Sequence, residues 1–490
     1  MSAQLHALLL KAQAARDGSR WAEAVGLFGT AASIDPASFQ IRHNLALCHF
    51  ASGRFEEALR FARDAVRLRP DLWQSMMIES KVHRARGRTI EAEAALDQVL
   101  RFSPGNPTAL SALADIEINE YGDPAAAIRR VRPLLDHPET ATDAELTTLM
   151  ADLYLQGDSA ENLSDRLRSF SRRNLRLPMQ TPKPRPARSR PRIALVSPLF
   201  SASPVYFMTF NVFEALAEYG DLICFNRSNR QDWATRAFAD IASEWHEVAH
   251  HEPAALAQAI CEAEVDILFD LGGWTDAAAL TALSSKPAPR MFTWVGGQSA
   301  TTGLDMFDGW IGDIWQSPAD LAHLYAEPLI NIPGGYCDYR APDALRSISI
   351  PKRRNAVGLV GNPCKIGNVL AAAWPAEITQ VTLIDRRYAH ARTCDRVTAL
   401  LREAGVRQID IIVPQGHAEY LQALAGMKAI VNTVPYSGGL TTIEAMALGV
   451  EIVTLPGDGR LFCERHHLSH RHTSGRNPGL VAAIAKLVLK

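Results

Sequence analysis

The chain has 490 residues, 51 Lys and Arg against 53 Asp and Glu, and 47% hydrophobic residues. That length gives room for about three domains, and the balanced charge argues against nucleic acid or an anionic membrane surface as a partner. Seven scattered cysteines without a CxxC pair, no run of about 18 apolar residues and no basic-then-apolar leader point to a cytoplasmic protein without disulfides or a zinc site.

The first third is periodic. Pro36, Pro70, Pro104 and Pro138 recur every 34 residues, as do Ala24, Ala58, Ala92 and Ala126; Gly18, Gly53, Gly87, Gly122 and Gly157 follow at 34 or 35. Stretches such as 22–34 (AEAVGLFGTAASI) and 56–68 (EEALRFARDAVRL) carry one apolar helical face each, which must be buried on a neighbouring helix. The pattern resembles the tetratricopeptide repeat and assigns residues 1–175 to an α-solenoid. Its concave side would hold a protein partner; capping or dimerisation is the other use of so short an array, and the oligomeric state stays open.

Residues 176–191 hold Pro178, Pro182, Pro184, Pro186 and Pro191 among basic side chains, which predicts a semi-rigid linker. Strands then alternate with helices. Candidate strands at 193–197, 221–225 and 266–271, with helices at 208–218 and 253–264, predict a Rossmann-like domain over 192–350. Strands at 356–361, 380–385, 409–413, 429–433 and 452–455 predict a second over 351–490. Ligands of such sheets bind at the carboxyl ends of the strands.

Residues 431–457 (VNTVPYSGGLTTIEAMALGVEIVTLPG) read as strand, glycine turn, helix and strand. Ser437, Gly438 and Gly439 turn the chain, and Thr441 and Thr442 open a helix whose first-turn N–H groups suit a phosphate. Glu444, one turn in, is placed to accept bonds from a ribose, and Gly449 closes the helix. An ordinary αβ turn with a glycine pair would look the same in isolation.

Residues 436–454 resemble the donor motif of the O-linked N-acetylglucosamine transferase and SPINDLY-like glycosyltransferases, which also begin with tetratricopeptide repeats. DILFDLGGWT (266–275), Pro287 and Pro289, TWVG (293–296), TTG (301–303) and LINIPGGY (329–336) follow the family's order. The resemblance implies an α-solenoid followed by a GT-B fold of two Rossmann-like domains. It further implies inverting transfer of a sugar from a nucleotide donor to Ser or Thr of a protein, with no metal or other cofactor. It puts Lys365 on the donor pyrophosphate as a catalytic charge and Thr441 and Thr442, after Gly438 and Gly439, on the phosphates. Glu444 goes to the ribose, Tyr420 stands where relatives stack a histidine on the base, His417 is near the base edge, and Arg465 matches an arginine near the donor.

Two departures stand out. The loop 199–207 (LFSASPVYF) has Ser203 or a neighbour where the family has a histidine, and Trp274 replaces the histidine of DLAGHT. Asp270 is the nominated replacement base, with Asp266 and Asp276 read as structural. These changes fit a changed donor or acceptor: the donor is UDP-N-acetylglucosamine-like or a CMP-linked nonulosonic acid, and flagellin is one acceptor. They also fit an impaired enzyme that serves as a scaffold. His466, His467, His470 and His472 are read as a polar loop rather than a metal site, and the stretch after Gly457 looks short for the family.

Overall fold

Helices on the 34-residue period make up the first part of this computed structural model, which describes residues 3–18, 20–155, 159–180, 188–297, 299–350, 352, 356–457, 460, 462–470 and 475–489. They are α1 (Ala3–Asp17), α2 (Trp21–Ile34), α3 (Phe39–Ala51), α4 (Phe55–Leu68), α5 (Trp73–Ala85), α6 (Thr89–Phe102), α7 (Pro107–Asn119), α8 (Pro124–Val131), α9 (Pro138–Leu155) and α10 (Ala160–Asn174). The repeating alanines lie where helices meet: Ala24, Ala58 and Ala92 are fully buried and Ala126 is 4% exposed. A larger side chain there would force the helices apart. Gly53, Gly87 and Gly122 turn the chain between paired helices at φ 70°, 67° and 64°, the left-handed region that favours glycine. Ser38 and Asn106 cap α3 and α7 through the N–H groups of Ile41 and Ala109.

By compactness the chain divides between Thr148 and Leu149, inside α9. That is earlier than the end of the periodic pattern at 175, because α10 spends its packing face on the α/β part. Ser164 Oγ donates to the Leu324 carbonyl (2.7 Å), Ser171 Oγ to that of Thr302 (2.6 Å), and Arg168 to those of His323 and Tyr325 (2.8 and 2.5 Å). Gly303, at φ 71°, sits directly against this helix; a Cβ there would lie 2.8–2.9 Å from Ser171 Oγ, Arg168 Cα and the Leu167 carbonyl. Of the expected linker, residues 181–187 fall outside the described residues. Its flanks are tied down: Gln180 N–H donates to the Ser285 carbonyl, and Arg190 pairs with Asp221 at 3.0 Å.

Two all-parallel sheets follow. The first contains β1 (Arg192–Ser197), β2 (Asp221–Asn226), β3 (Glu244–Glu247), β4 (Ile267–Asp270), β5 (Arg290–Trp294), β6 (Gly309–Gly312) and β7 (Leu329–Asn331) in the order β3-β2-β1-β4-β5-β6-β7. The second contains β8 (Val357–Val360), β9 (Gln380–Ile384), β10 (Gln408–Ile412), β11 (Ala429–Asn432) and β12 (Glu451–Thr454) in the order β10-β9-β8-β11-β12. Helices α11 (Pro204–Leu216), α12 (Trp233–Ile241), α13 (Pro253–Glu262) and α14 (Ala277–Leu283) accompany the first sheet. In chain order α15 (Asp343–Ser347), α16 (Asn368–Ala372), α17 (Ala391–Glu403), α18 (His417–Ala425), α19 (Leu440–Ala447), α20 (His466–His470) and α21 (Pro478–Val488) follow. Strands buried on both faces explain the near-continuous apolar runs of β1, β2 and β4.

The sequence reading did not include β3, β5, β6 and β7. EWHE at β3 is a polar edge paired only with β2, and GWIG at β6 is too short to show a period. The last helix crosses back. Leu480, Ile484 and Val488 of α21 share one core with Val212, Phe213 and Leu216 of α11, and Arg290 donates to the Leu487 and Val488 carbonyls. The stretch 351–490 therefore contributes to both sheets' cores. Among the described residues no helix is long and apolar enough to cross a membrane.

Candidate functional site

Each sheet reverses its strand order once, between β1 and β4 and between β8 and β11, and a crevice forms at such a switch point. At the second sheet the chain leaves β8 through Gly361 (φ 104°) into a short turn, Pro363–Lys365, that Asn362 caps through the Cys364 N–H (3.0 Å). From the neighbouring β11 it passes through Tyr436 and Gly439 into α19. Gly438 N–H donates to Asn432 Oδ1 (2.8 Å), and a Cβ at Gly438 would lie 2.2 Å from Thr442 Oγ1. No side chain fits there. Thr442 is buried, while the Thr441 hydroxyl points toward Gly361. The result is a turn whose backbone closes onto the start of a helix, which carries the positive dipole end.

Lys365 faces this turn. Its Nζ donates to the Ser437 carbonyl (2.9 Å) and lies 4.4 Å from the Tyr436 ring centroid, with no carboxylate paired to it among the described residues. Burial pulls the ammonium down to about 8. Tyr436 is itself held on two sides: its ring stacks on Tyr154 of α9 (4.9 Å, 13° between planes) and its hydroxyl is 2.7 Å from Ser299 Oγ. Cys463 Sγ donates to the Ser299 carbonyl (2.8 Å), and burial pushes this thiol up to about 12, so it is not a nucleophile at neutral pH. A carbonyl and one aromatic face meet the lysine and leave its charge available to an incoming anion.

The residues expected at the nucleoside converge beside it. His417 Nε2 lies 2.6 Å from Oε1 of the buried Glu444. The His417 ring stacks on Tyr420 (5.8 Å, 25°) and sits 5.5 Å from Phe207 of α11. Arg465 is buried and commits its Nε to the Gln316 carbonyl (3.0 Å).

The corresponding residues of the first sheet are used internally. Asp270, 1% exposed, accepts from the N–H groups of Gly272 (3.0 Å) and Gly273 (3.2 Å) and from Thr293 Oγ1 (3.3 Å), and burial lifts its carboxyl to about 6. It holds the turn after β4 against a second glycine turn after β5. A Cβ on Gly296 would lie 1.6 Å from the Leu271 carbonyl oxygen, and one on Gly297 2.3 Å from that of Gly272. Trp274 donates from Nε1 to the Thr301 carbonyl (2.9 Å) and sets its edge against Phe170 of α10. Thr301 and Thr302 bond the buried Glu327 through their hydroxyls. Ser203 opens α11 and donates to the Leu199 carbonyl (2.8 Å). Asp266 accepts from Arg192 N–H, and Asp276 caps α14 while pairing with Arg227 at 2.8 Å, as structural roles require.

Sequence reasoning did not give roles to Tyr154, Ser299, Tyr436 or Cys463. Tyr436 stands inside the quoted motif, whereas Tyr154 is 282 positions away by the numbering and carries no local signal. His467 is buried against the Glu464 carbonyl (3.1 Å). His472 lies outside the described residues. Among the described residues no group of three or more His, Cys, Asp or Glu is placed to hold a metal ion.

The tetratricopeptide repeat family matches residues 15–77. Curated relatives include the probable UDP-N-acetylglucosamine–peptide N-acetylglucosaminyltransferase SPINDLY of Oryza sativa subsp. japonica, 28% identical over 226 residues, covering 44% of this chain and 24% of that one. The Petunia hybrida protein of the same description is 26% identical over 336 residues, covering 63% and 35%. The Arabidopsis thaliana protein described with the name SEC is 29% identical over 171 residues, covering 34% and 17%. The matches thus span about a third or less of these relatives' own length. A mutant of the Thermobaculum terrenum O-GlcNAc transferase shares the fold with a TM-score of 0.78 over 93% of each chain, at 21% identity. With repeats leading into two doubly wound sheets, the chain has the GT-B fold and is similar to the O-GlcNAc transferase and SPINDLY-like proteins.

Proposed function

We propose that this chain is a protein glycosyltransferase that moves a sugar, N-acetylglucosamine first, from a uridine diphosphate donor to a Ser or Thr hydroxyl of a protein recruited by the repeats. The observation that carries this reading is the buried Lys365 ammonium, without a carboxylate partner among the described residues, facing the turn into α19. A diphosphate can span both features, and its charge replaces the water that burial removes from the lysine. The acceptor hydroxyl gives up its proton to solvent as its oxygen attacks the anomeric carbon from the face opposite the diphosphate. The carbon–oxygen bond to the phosphate breaks, and Lys365 and the helix N-terminus offset the charge that develops on the leaving group. His417, Tyr420 and Glu444 hold the nucleoside. In this scheme Lys365 supplies the positive charge, so no metal is required, and the reaction proceeds with inversion in the cytoplasm.

A CMP-linked nonulosonic acid, with flagellin as acceptor, would use Lys365 and α19 less fully, since it carries one phosphate. The engaged oxygens of Asp270 favour a second reading, a scaffold that binds the nucleotide without transfer. Thermal-shift titration with UDP, UDP-N-acetylglucosamine, CMP and GDP is the first test. Stabilisation by the uridine ligands, lost in Lys365→Ala, is expected; no stabilisation by any nucleotide removes the enzyme. Incubation with each donor and host lysate, read by intact-protein mass, then separates transferase from scaffold.

A further inference from the structure

A second cleft, of about 570 Å³, is formed away from the β8 and β11 switch point, between α10 with the chain that follows it and the segment 303–306. One wall carries Arg168, Arg172 and Arg176. Arg168 is fixed by its bonds to the His323 and Tyr325 carbonyls, and its buried Nε has no acceptor among the described residues. Arg172 and Arg176 are exposed and have no carboxylate partner among the described residues. Other arginines of the same helix do have partners: Arg166 pairs with Asp152 at 2.8 Å and Arg173 donates to Ser169. Leu304, which is 4% exposed, the exposed Asp305, Met306 and Met179, which is 64% exposed, also line it.

We propose that this cleft binds an extended acidic segment of a protein partner, with carboxylates at alternate residues. One helical turn separates Arg168 from Arg172, a rise of about 6 Å, and every second residue of an extended chain advances about 6.7 Å. Side chains of such a segment alternate between two faces. Acidic ones meet the arginines, and the apolar ones between them meet Leu304 and Met306. The exposed Asp305, between Leu304 and Met306 in sequence, repels carboxylates there and so favours the face that turns them to the arginines. Guanidinium groups suit this partner because they bind carboxylates in a bidentate way. That the segment belongs to the acceptor protein rests on the transferase reading; the binding itself does not.

The test is fluorescence anisotropy of the full chain with a fluorescein-labelled peptide of alternating Glu and Val, and with the same peptide carrying Gln for Glu. The Glu peptide should bind, more weakly as salt rises, and the Arg172→Glu/Arg176→Glu variant should weaken it about ten-fold or more. Both side chains are exposed, so the variant should melt like the parent and keep its thermal shift with UDP. Equal binding of the Gln peptide, or unchanged affinity in the variant, overturns the proposal. Displacement of the Glu peptide by a short oligothymidylate with higher affinity overturns it in favour of nucleic acid. Peptide binding without any UDP stabilisation would leave the cleft standing and remove only the transferase reading.

Discussion

The two doubly wound sheets present the same kind of crevice and use it differently. At the second sheet, Lys365 beyond β8 leaves its charge unspent, touching a carbonyl and a ring, while Ser437 and Gly438 beyond β11 are bonded internally. At the first sheet, the residues beyond β4 and β5 are consumed by one another and by α10. A recognisable motif can therefore mark a ligand site or a close crossing of backbone, and only the partners of each side chain tell which.

Substitutions can break this contrast. The largest expected effect is at Gly296, where a Cβ would overlap the Leu271 carbonyl oxygen at 1.6 Å. Gly296→Ala should cost about 4 kcal/mol or more in a denaturant melt, or leave no folded protein; a parent-like melt would mean that the crossing relaxes freely. The next effect is one of pH. Lys365 is held near 8, below an ordinary lysine, so its ammonium is present below that pH and lost above it. UDP affinity should fall about ten-fold per unit as pH rises past 8, and Lys365→Ala should be weak and flat over the same range. Calorimetric titrations at several pH values read this, and a parent profile flat to pH 10 would detach the lysine from the phosphates.

Smaller effects follow at the edges. Tyr154→Leu removes the ring stacked on Tyr436, and a loss of about three- to ten-fold in UDP affinity is expected from a contact of this kind. Unchanged affinity would show that Tyr436 keeps its place without support. Asp270→Asn should leave UDP affinity and transfer within about three-fold, because Asp270 serves the glycine turn. Its carboxyl titrates near 6 when folded and near 3.8 when unfolded, so the native state binds the extra proton between them. Stability therefore falls as pH rises from about 4 to 6, and the Asn variant should lack that slope. A loss of transfer of about 10² or more with a normal melt would instead make Asp270 a catalytic residue.

Much of the architecture was legible because it rests on periodicity. The 34-residue step finds the buried alanines, and apolar runs find the interior strands β1, β2, β8, β9 and β11. The polar edge strand β3 and the four-residue β6 carry too little pattern. At the site, the turn into α19 could be read locally, because glycines and hydroxyls are adjacent in sequence. Tyr154 could not, since its place against Tyr436 depends on how α9 meets the second sheet. Asp270 and Trp274 were assigned from resemblance alone, which transfers positions without the hydrogen bonds that occupy them.

Helix α10 has a practical consequence for exchanging recognition modules. By periodicity it is the last member of the array, yet its Ser164, Ser171 and Arg168 bonds and the glycine at 303 bind it to the α/β part. A foreign array spliced on within 176–191 would leave Gly303 and the Thr302 carbonyl bare to solvent and cost the recipient part of its own core. Splicing near Thr148 would hand over the interchangeable part and leave the recipient whole.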